Sequence, residues 1–519
     1  MTSAHGIGNE DAVESTPLLS SRIREDVSIT LETSHMKRRV DLLLCAFAFT
    51  MMLGDNLQPA ALTQIFEGVI CDNYYARHSY SSASNPSPLS MRQLADPCKV
   101  HAVQKELAQV RGFQQLVPLF PALVCTVPYG LLAERIGRKR VLILSGAGVF
   151  AALSWVLAVC YWRFVGIRWV WLTGAFLFIG GGDAVTSSIV HVMVTDTTGP
   201  AERAQIFLFL HAADVVSGFI GPAVSAALME KGYTWTVLLL AEMALFSGTF
   251  LLTLHIPETL RFRDKSSDLT VDTVSPPVRV TSTQRFASSN PTQTANPFFD
   301  RVSRVLAPLL SVLTSNRRAL LLLGIFAPQT AARDLFTMIG LQYSNAKFAL
   351  SYGRGNVLLS LFQGAQALVV LVLLPSITRL IADPRGWTNW ARDRRYAIMS
   401  IAVTVSGLIV IAVAPGLVLE ATGLLLVACG SCTTGLLMSL LGGAVRPSQV
   451  SAVYSAALML SIVVSSITGP VANMLLVKGL VLGWNWMGLP FAAMAVLMAG
   501  VMVASTFISA EKGGNFEEE

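Results

Sequence analysis

Several ionisable side chains lie inside long apolar stretches of this sequence, where an unpaired charge is costly, and six of them are our candidates for chemistry. These residues are Asp55, Asp183, His211, Asp214, Arg333 and Asp334. A carboxylate between apolar helices can take up and release a proton, and an arginine can hold an anionic ligand or pair with a carboxylate. We therefore expect these six residues to bind a small molecule or to carry protons.

Helical spacing groups part of this set. His211, Asp214, Gly218 and Gly221 follow one another at intervals of three or four residues, so they share one face of a helix. Asp183 comes directly after three consecutive glycines. Both patterns place polar groups where helices can approach each other closely.

The same residues also have structural explanations. Asp55, Arg333 and Asp334 can lie near helix ends and reach water. Asp183 can form a purely structural pair with Arg333. The sequence leaves these alternatives open.

The sequence contains none of the motifs expected of a membrane enzyme or an ATP-driven pump. It has no Walker-type phosphate loop, no His-Glu-x-x-His and no nucleophile elbow. Cys429-Gly-Ser-Cys432 has the spacing of a redox or zinc motif, but its apolar flanks favour a role in helix packing. We predict no enzyme activity, no metal site and no cofactor.

The elements that must position these side chains are membrane helices. Of 519 residues, 53% are hydrophobic and only 13% are charged. The apolar residues form about twelve blocks, each long enough to cross a bilayer. The net charge of +6 comes from basic residues between the blocks, so it indicates membrane topology rather than nucleic-acid binding. The predicted fold class is an all-α membrane protein.

Two long polar stretches divide the blocks into six helices, a linker and six further helices. The linker is rich in Ser, Thr and Pro between Ser266 and Pro297, which indicates a disordered tether. The predicted organisation is an N-terminal tail (1–37), a six-helix bundle (38–257) with a loop (66–111), a linker (258–318), a second six-helix bundle (319–508) and a C-terminal tail (509–519).

An internal repeat supports two related bundles. Residues 215–222 read VVSGFIGP and residues 463–470 read VVSSITGP, about half the chain apart. Chance is the alternative, because Gly and Pro are common in membrane helices. The shared Val-Val-Ser and the half-chain offset favour a repeat.

Basic residues and cysteines indicate the orientation. Most Lys and Arg between the blocks lie on the side that holds both termini and the linker, so the positive-inside rule places that side in the cytosol. The loop 66–111 would then face an oxidising space, where Cys71 and Cys98 can form a disulfide. Two free thiols are the alternative, since spacing alone does not establish proximity.

The segment Gly130-Leu-Leu-Ala-Glu134-Arg135-Ile-Gly137-Arg138-Lys139-Arg140 joins the second and third blocks. It resembles the signature loop G-x-L-a-D-r-x-G-r-k-x of the major facilitator superfamily, with Glu134 where the family has Asp. The resemblance implies two six-helix bundles around a central cavity that is lined by helices 1, 4, 7 and 10. Pro257-Glu258-Thr259 after the sixth block resembles a sequence that is frequent at this place in the family.

The resemblance also implies roles for single residues of this loop. Glu134 with the basic residues would form a charge network that holds a cytosolic gate closed, and the glycines would allow a tight turn. The expected gating residues are Gly130, Glu134, Arg135, Gly137, Arg138 and Lys139.

A second motif bears on direction and coupling. Gly218, Gly221 and Pro222 resemble the antiporter signature G-x-x-x-G-P-x-x-G-G, with Ser217 where the first Gly is expected. In the family this motif is associated with export in exchange for protons, and ordinary helix packing is the alternative. The fourth helix lacks the Arg that proton antiporters of the family often carry, so a carboxylate such as Asp183 or Asp214 would act instead.

These features predict a secondary active transporter that exports a small organic molecule, a secondary metabolite or drug, in exchange for protons. Proton-coupled uptake of an organic anion or nutrient, suggested by Arg333, is the alternative. A non-transporting nutrient sensor is disfavoured by the short tails. Residues 67–75, EGVICDNYY, resemble fungal members that are distantly similar to proton-coupled folate carriers and tetracycline exporters.

The expected partners follow from this interpretation. They are the small-molecule substrate, the lipid bilayer and protons, with no nucleic acid, for a protein that acts as a monomer. The plasma membrane is the expected location. The acidic dileucine-like segment Glu14-Ser-Thr-Pro-Leu18-Leu19 would instead favour a vacuolar or endosomal membrane.

Overall fold

The computed structural model describes residues 16–78, 97–198, 200–260, 317–377, 380, 388–445 and 450–508. These residues form helices joined by turns, and there is no β-strand among them. Twelve helical spans are long and apolar enough to cross a membrane. They are α1 Met36–Arg77, α2 His101–Ile136, α3 Arg138–Trp162, α4 Ile167–Thr197, α5 Gln205–Met229, α6 Thr234–His255, α7 Arg317–Phe348, α8 Tyr352–Ile377, α9 Trp390–Val413, α10 Leu417–Gly443, α11 Ala456–Leu482 and α12 Trp484–Thr506.

The outer surfaces of these helices suit a lipid environment. In a helix the backbone N–H and C=O groups bond to each other, so they need no partner from the lipid hydrocarbon, which has none to offer. Large apolar side chains such as Leu42, Val418 and Phe507 are exposed instead of packed inside the protein. The predicted fold class, an all-α membrane protein, is confirmed.

Each half of the chain builds its own apolar core. In α1–α6 the buried core includes Phe47 and Leu238. In α7–α12 it includes Phe326 and Phe491. Tyr352 at the start of α8 packs into the first core, so the halves contact each other at that end.

The two ends of the helix bundle are distinguished by two features. We call the end where α2 meets α3, at Gly137, the motif face. Because successive helices run in opposite directions, α1 ends and α2 begins at the other end. There the sulfur atoms of Cys71 and Cys98 are bonded to each other, and we call this end the disulfide face.

Two helix pairs make the most extensive contacts between the halves in the described part of the chain, and the repeated sequence lies on both. Helix α5 packs along α8, and α11 packs along α2. A methyl group on Gly218 of α5 would come within 2.0 Å of the Gln363 side chain, and one on Gly469 of α11 within 2.4 Å of the Gln115 side chain. The two helix contacts are equivalent, but the glycines that allow them are not, because Gly469 aligns with Gly221 in the repeat while Gly218 aligns with Ser466.

Helices α4 and α10, which hold the same position in the two halves, are both interrupted near mid-span. In α4 the glycines at 180, 181 and 182 have positive φ angles of 87°, 84° and 65°, which end one helical segment before the next begins at Gly182. In α10 the break lies between the segments Leu417–Cys429 and Thr433–Gly443. Interrupted helices of this kind place polar backbone next to a cavity.

The predicted loop 66–111 is much shorter in the structure. The helix that contains α1 runs from Thr16 to His78, and α2 already begins at His101. The sequence suggested a loop because these ends are polar, but Glu67 and Gln104 are buried against other helices. Most of the predicted linker, including Ser266 to Pro297, lies outside the described residues, as do Glu14 and the tail 509–519.

Candidate functional site

A cavity of about 890 Å³ lies between the two halves, and we call it the central cavity. It extends from the middle of the bundle to the motif face, where Arg392 and Asp393 lie in the first turn of α9. Its walls come from α1, α2, α5, α7, α8, α9 and α10. Its polar lining includes Asn56, Arg111, Gln115, His211, Asp214, Arg333, Asp334, Gln363, Gln366, Arg392, Asp393, Ser431 and Ser439.

A smaller space of about 210 Å³ adjoins it between α1, α4 and α5, and we call it the side chamber. Asp55 and Asp183 line the side chamber together with apolar residues such as Phe47 and Met51. His211 and Asp214 line both spaces and therefore form a shared wall. A change of charge in the side chamber can therefore alter the electrostatic potential in the central cavity.

The structure places all six of the ionisable residues that the sequence singled out at these two spaces. Asp55 and Asp183 face the side chamber, Arg333 and Asp334 face the central cavity, and the shared wall holds the remaining two. None of the six lies in the first or last turn of its membrane span. Helix α4, expected to line the central cavity, contributes residues to the side chamber instead.

Most charges in the central cavity are arranged as neighbouring pairs. Arg333 Nε donates to Asp334 Oδ1 at 2.8 Å, and Arg392 Nε donates to Asp393 Oδ1 at 2.9 Å. Arg333 thus pairs with the next residue in the chain and not with Asp183. In the side chamber, the Gln58 amide donates to Asp55 Oδ1 at 3.4 Å.

Arg111 of α2 is a cavity residue that the sequence analysis missed. It lies in the stretch read as a loop, so it was not counted among membrane residues. Its Nη1 donates to the neutral Gln114 Oε1 at 3.0 Å, and no carboxylate among the described residues pairs with it. One signal was present in the sequence, because Gln104, Arg111 and Gln115 are seven and four residues apart, which is helical spacing.

The central cavity is closed toward the disulfide face by polar contacts between the halves. Gln342 Nε2 of α7 donates to Gln104 O at 2.9 Å and to Gln104 Oε1 at 3.1 Å. One level deeper, Gln115 Nε2 donates to Met338 O at 3.0 Å. At the rim, Ser351 donates to Glu230, which also lies 3.7 Å from Arg354.

Glu67 and the disulfide brace this closure from the first half. Glu67 accepts hydrogen bonds from Lys99, at 2.6 Å, and from Gln104. The Cys71–Cys98 bond joins the end of α1 to the turn before α2. The closing residue Gln104 is therefore held by its own half as well as by Gln342.

At the motif face the turn between α2 and α3 is built around Glu258. Its carboxylate accepts from the backbone N–H groups of Arg138, at 2.8 Å, and Lys139, at 3.2 Å, which satisfies the free N-terminus of α3. Arg138 is buried and its Nε lies 3.4 Å from Asp196 Oδ2. The expected partner Glu134 is exposed, as is Arg135, so the network is centred on Glu258 and Asp196.

Gly130 and Gly137 of the same motif differ in their surroundings. Gly137 has φ 105°, and a methyl group there would lie 2.3 Å from Glu258 Oε2. Gly130 is helical, and a methyl group there would meet no other atom within 4 Å. The tight turn therefore requires Gly137 and not Gly130.

Twelve membrane spans, two related halves and a polar cavity between them define a two-bundle membrane carrier. A family model described as "Major Facilitator Superfamily" matches residues 108–470. The chain therefore belongs to the major facilitator superfamily and is a multi-pass membrane transporter, as the signature loop predicted.

Individual relatives and solved structures agree with this assignment. The chain is 28% identical to "MFS efflux pump atnC" of Emericella nidulans over 89% of this chain and 86% of that protein. It is 27% identical to "MFS-type transporter avaK" of Aspergillus versicolor over 85% and 86% of the two chains. Its fold is similar to that of the human organic anion transporter MFSD10, with a TM-score of 0.53 at 18% identity, over 90% of this chain and 99% of that chain.

Proposed function

We propose that this transporter exports a small organic molecule, a secondary metabolite or drug, in exchange for protons. The main support for this proposal is the central cavity. Side chains of both halves close it toward the disulfide face, and it extends to the motif face. Rocking of the two halves would close the motif face and open the disulfide face, which gives alternating access to one site. The closure at Gln104 and Gln342 is the contact that must break for the disulfide face to open.

We assign the proton to the side chamber. Asp55 and Asp183 face this chamber, whose other walls are mainly apolar, and they lie outside the larger substrate space. The shared wall of His211 and Asp214 connects the two spaces. A proton taken up at Asp55 or Asp183 can therefore change the electrostatic field at the substrate without occupying its place.

Two observations support export over uptake. Gly218, Gly221 and Pro222 of the antiporter-like motif lie on α5, where a methyl group on Gly221 would come within 2.8 Å of Asn56 in α1, so the motif controls how α5 approaches its neighbours. The relative from Emericella nidulans is named an efflux pump. Uptake of an organic anion was suggested by Arg333, but the charge of Arg333 is balanced by Asp334.

In the proposed orientation, the motif face is exposed to the cytosol. The protein would act as a monomer in the plasma membrane. Substrate from the cytosol would enter the central cavity in the conformation described here. Protons would enter from the opposite side after the disulfide face opens. The basic residues Arg138, Lys139 and Arg140 at the motif face agree with the positive-inside rule.

The test is transport by the purified full chain in proteoliposomes with an imposed pH gradient. Carboxyfluorescein and rhodamine 123 serve as an anionic and a cationic fluorescent probe. We expect the gradient to drive probe flux opposite to proton flow, and we expect Asp183→Asn to remove this stimulation because the amide cannot carry a proton.

The matched control is Asp72→Asn. Asp72 pairs with Arg163 on an exposed surface and lines neither space. Proton coupling through the side chamber would be contradicted if probe flux were the same with and without the pH gradient. It would also be contradicted if gradient-driven flux were unchanged in both Asp55→Asn and Asp183→Asn. Flux in the same direction as protons would favour uptake, and no flux of any compound would favour a sensor.

A further inference from the structure

Arg111 differs from the other arginines of the central cavity, because no carboxylate in the described part of the chain pairs with it. Arg333 and Arg392 each pair with the aspartate that follows them, at 2.8 Å and 2.9 Å. Arg111 donates to the neutral Gln114, and the described residues offer it no carboxylate. A cation away from bulk water is costly without a counter-charge. The cavity therefore has a cationic position for which the described residues provide no counter-charge.

Asp214 is the other carboxylate of the cavity lining, besides Asp334 and Asp393, that could neutralise Arg111. Asp214 interacts electrostatically with His211, Arg333 and Asp334, on the wall shared with the side chamber. The opposite charges that it faces, His211 and Arg333, lie on α5 and α7, and Arg111 is not among them. This leaves Arg111 as the charge available to a molecule in the central cavity.

The position of Arg111 along α2 suits a ligand that is released at the other face. It lies ten residues from the start of α2, about 15 Å along the helix axis from the disulfide face and therefore at the closed end of the central cavity. Gln104 and Gln115, which contact α7 in the closure, lie on the same face of α2 as Arg111. Opening of this closure would expose Arg111 to the disulfide face.

Two further polar groups of the cavity lining lack partners. Gln366 Nε2 of α8 and Ser431 Oγ in the break of α10 are buried and make no hydrogen bond with the described residues. Both can donate to ligand oxygen atoms. Buried donors without partners are rare, so they mark places where a ligand or water completes the bonding.

We propose that the cargo of this transporter is an organic anion, and that its carboxylate or sulfonate binds Arg111 at the closed end of the central cavity. A guanidinium matches such groups geometrically because it can donate two parallel hydrogen bonds. The apolar part of the cargo would contact Phe362 and Leu436, which line the same cavity. The inference rests on the proposed transport only in treating the bound anion as cargo.

Binding to the purified full chain in detergent tests this assignment without a gradient. The probes share one skeleton and differ in charge: 2-naphthoate and naphthalene-2-sulfonate are anions, 2-naphthol is neutral, and 2-naphthylmethylamine is a cation. We expect the two anions to raise the melting temperature and the other two compounds to leave it unchanged. Arg111→Gln should weaken anion binding about 10- to 100-fold, the effect of losing a charge-assisted contact.

Two variants separate charge from folding. Arg111→Lys keeps the charge but not the planar donor geometry, so it should retain part of the affinity. Arg168→Gln is the matched control, because Arg168 is exposed, lies 3.7 Å from Glu106 and does not line the central cavity. Both variants and Arg111→Gln are compared without ligand to show that the protein remains folded.

Several outcomes would overturn the inference. These are equal stabilisation by the neutral or cationic probe, unchanged anion binding in Arg111→Gln, and no effect of either anion up to its solubility limit. Any of them would leave transport of a different cargo standing. Anion binding without any flux under a pH gradient would instead contradict the proposed transport and not the site.

Discussion

Single residues at both ends of the bundle have roles that their immediate partners explain. At the motif face, Gly137 adopts a backbone angle of 105° and faces Glu258, whose carboxylate holds the start of α3. In the cavity, the charge of Arg333 is balanced by Asp334, while no carboxylate among the described residues balances that of Arg111. The availability of a charged side chain for a ligand therefore depends on its neighbours more than on its type.

Gly137→Ala should destabilise the protein by about 1–3 kcal/mol, because an L-residue is strained at this angle and its methyl group would displace Glu258. The measurement is the melting temperature of the purified protein together with its transport rate. Gly130→Ala is the control from the same motif and should be neutral or slightly stabilising, since Gly130 is helical with free space around it. Equal behaviour of the two variants would be evidence against this account of the turn.

Among the helices, α1 and α2 extend beyond their apolar segments toward the disulfide face. Their polar ends carry Glu67 and Gln104, which bond to each other inside the protein. The Cys71–Cys98 bond crosslinks them through two cysteines that are 27 positions apart in the chain. These ends form one braced unit that holds Gln104 against α7.

Cys71→Ser should lower the melting temperature, because the crosslink restricts the unfolded chain and contributes about 3–4 kcal/mol in the chain-entropy description. Cys45→Ser, which changes a free cysteine in α1, is the control. A maleimide should label Cys71 and Cys98 only after reduction. Labelling of both cysteines without reductant, or an unchanged melting temperature in Cys71→Ser, would mean that the bond does not form in the cell.

In the whole molecule the contacts between the halves are arranged around the cavity with approximate symmetry. Gly218 lets α5 approach α8 and Gly469 lets α11 approach α2, and the interrupted helices α4 and α10 hold equivalent positions. Polar side chains of α2 and α7 close the disulfide face. In this arrangement, separation of Gln104 from Gln342 is needed for any exit on that side.

Replacing Gln104 and Gln342 together by cysteine should create a reversible lock. We expect an oxidant to crosslink the double variant and stop transport, and a reductant to restore it, because the bond prevents the disulfide face from opening. Each single variant, with and without oxidant, controls for loss of the Glu67 contact. A crosslinked double variant that still transports at the uncrosslinked rate would exclude this closure as part of the transport cycle.

The sequence alone was sufficient to predict the membrane spans, the two related halves and the family. Hydrophobicity and the signature at Gly130–Arg140 are local properties, and they can be read without knowing which helices are neighbours. Asp55, Asp183 and the other four ionisable residues were found for the same reason, since polar groups are conspicuous inside apolar helices.

Only the tertiary structure revealed how these residues divide between two spaces, that Glu258 and not Glu134 holds the turn between α2 and α3, and that Arg111 lies in the cavity. Each of these depends on contacts between residues that are far apart in the chain, such as Arg138 with Glu258 or Gln104 with Gln342. The polar ends of α1 and α2 were interpreted as a loop because hydropathy cannot distinguish a side chain in water from one that is paired inside a bundle. Pairing between helices is a property of the fold, and it determines which charges in this transporter remain available to a ligand.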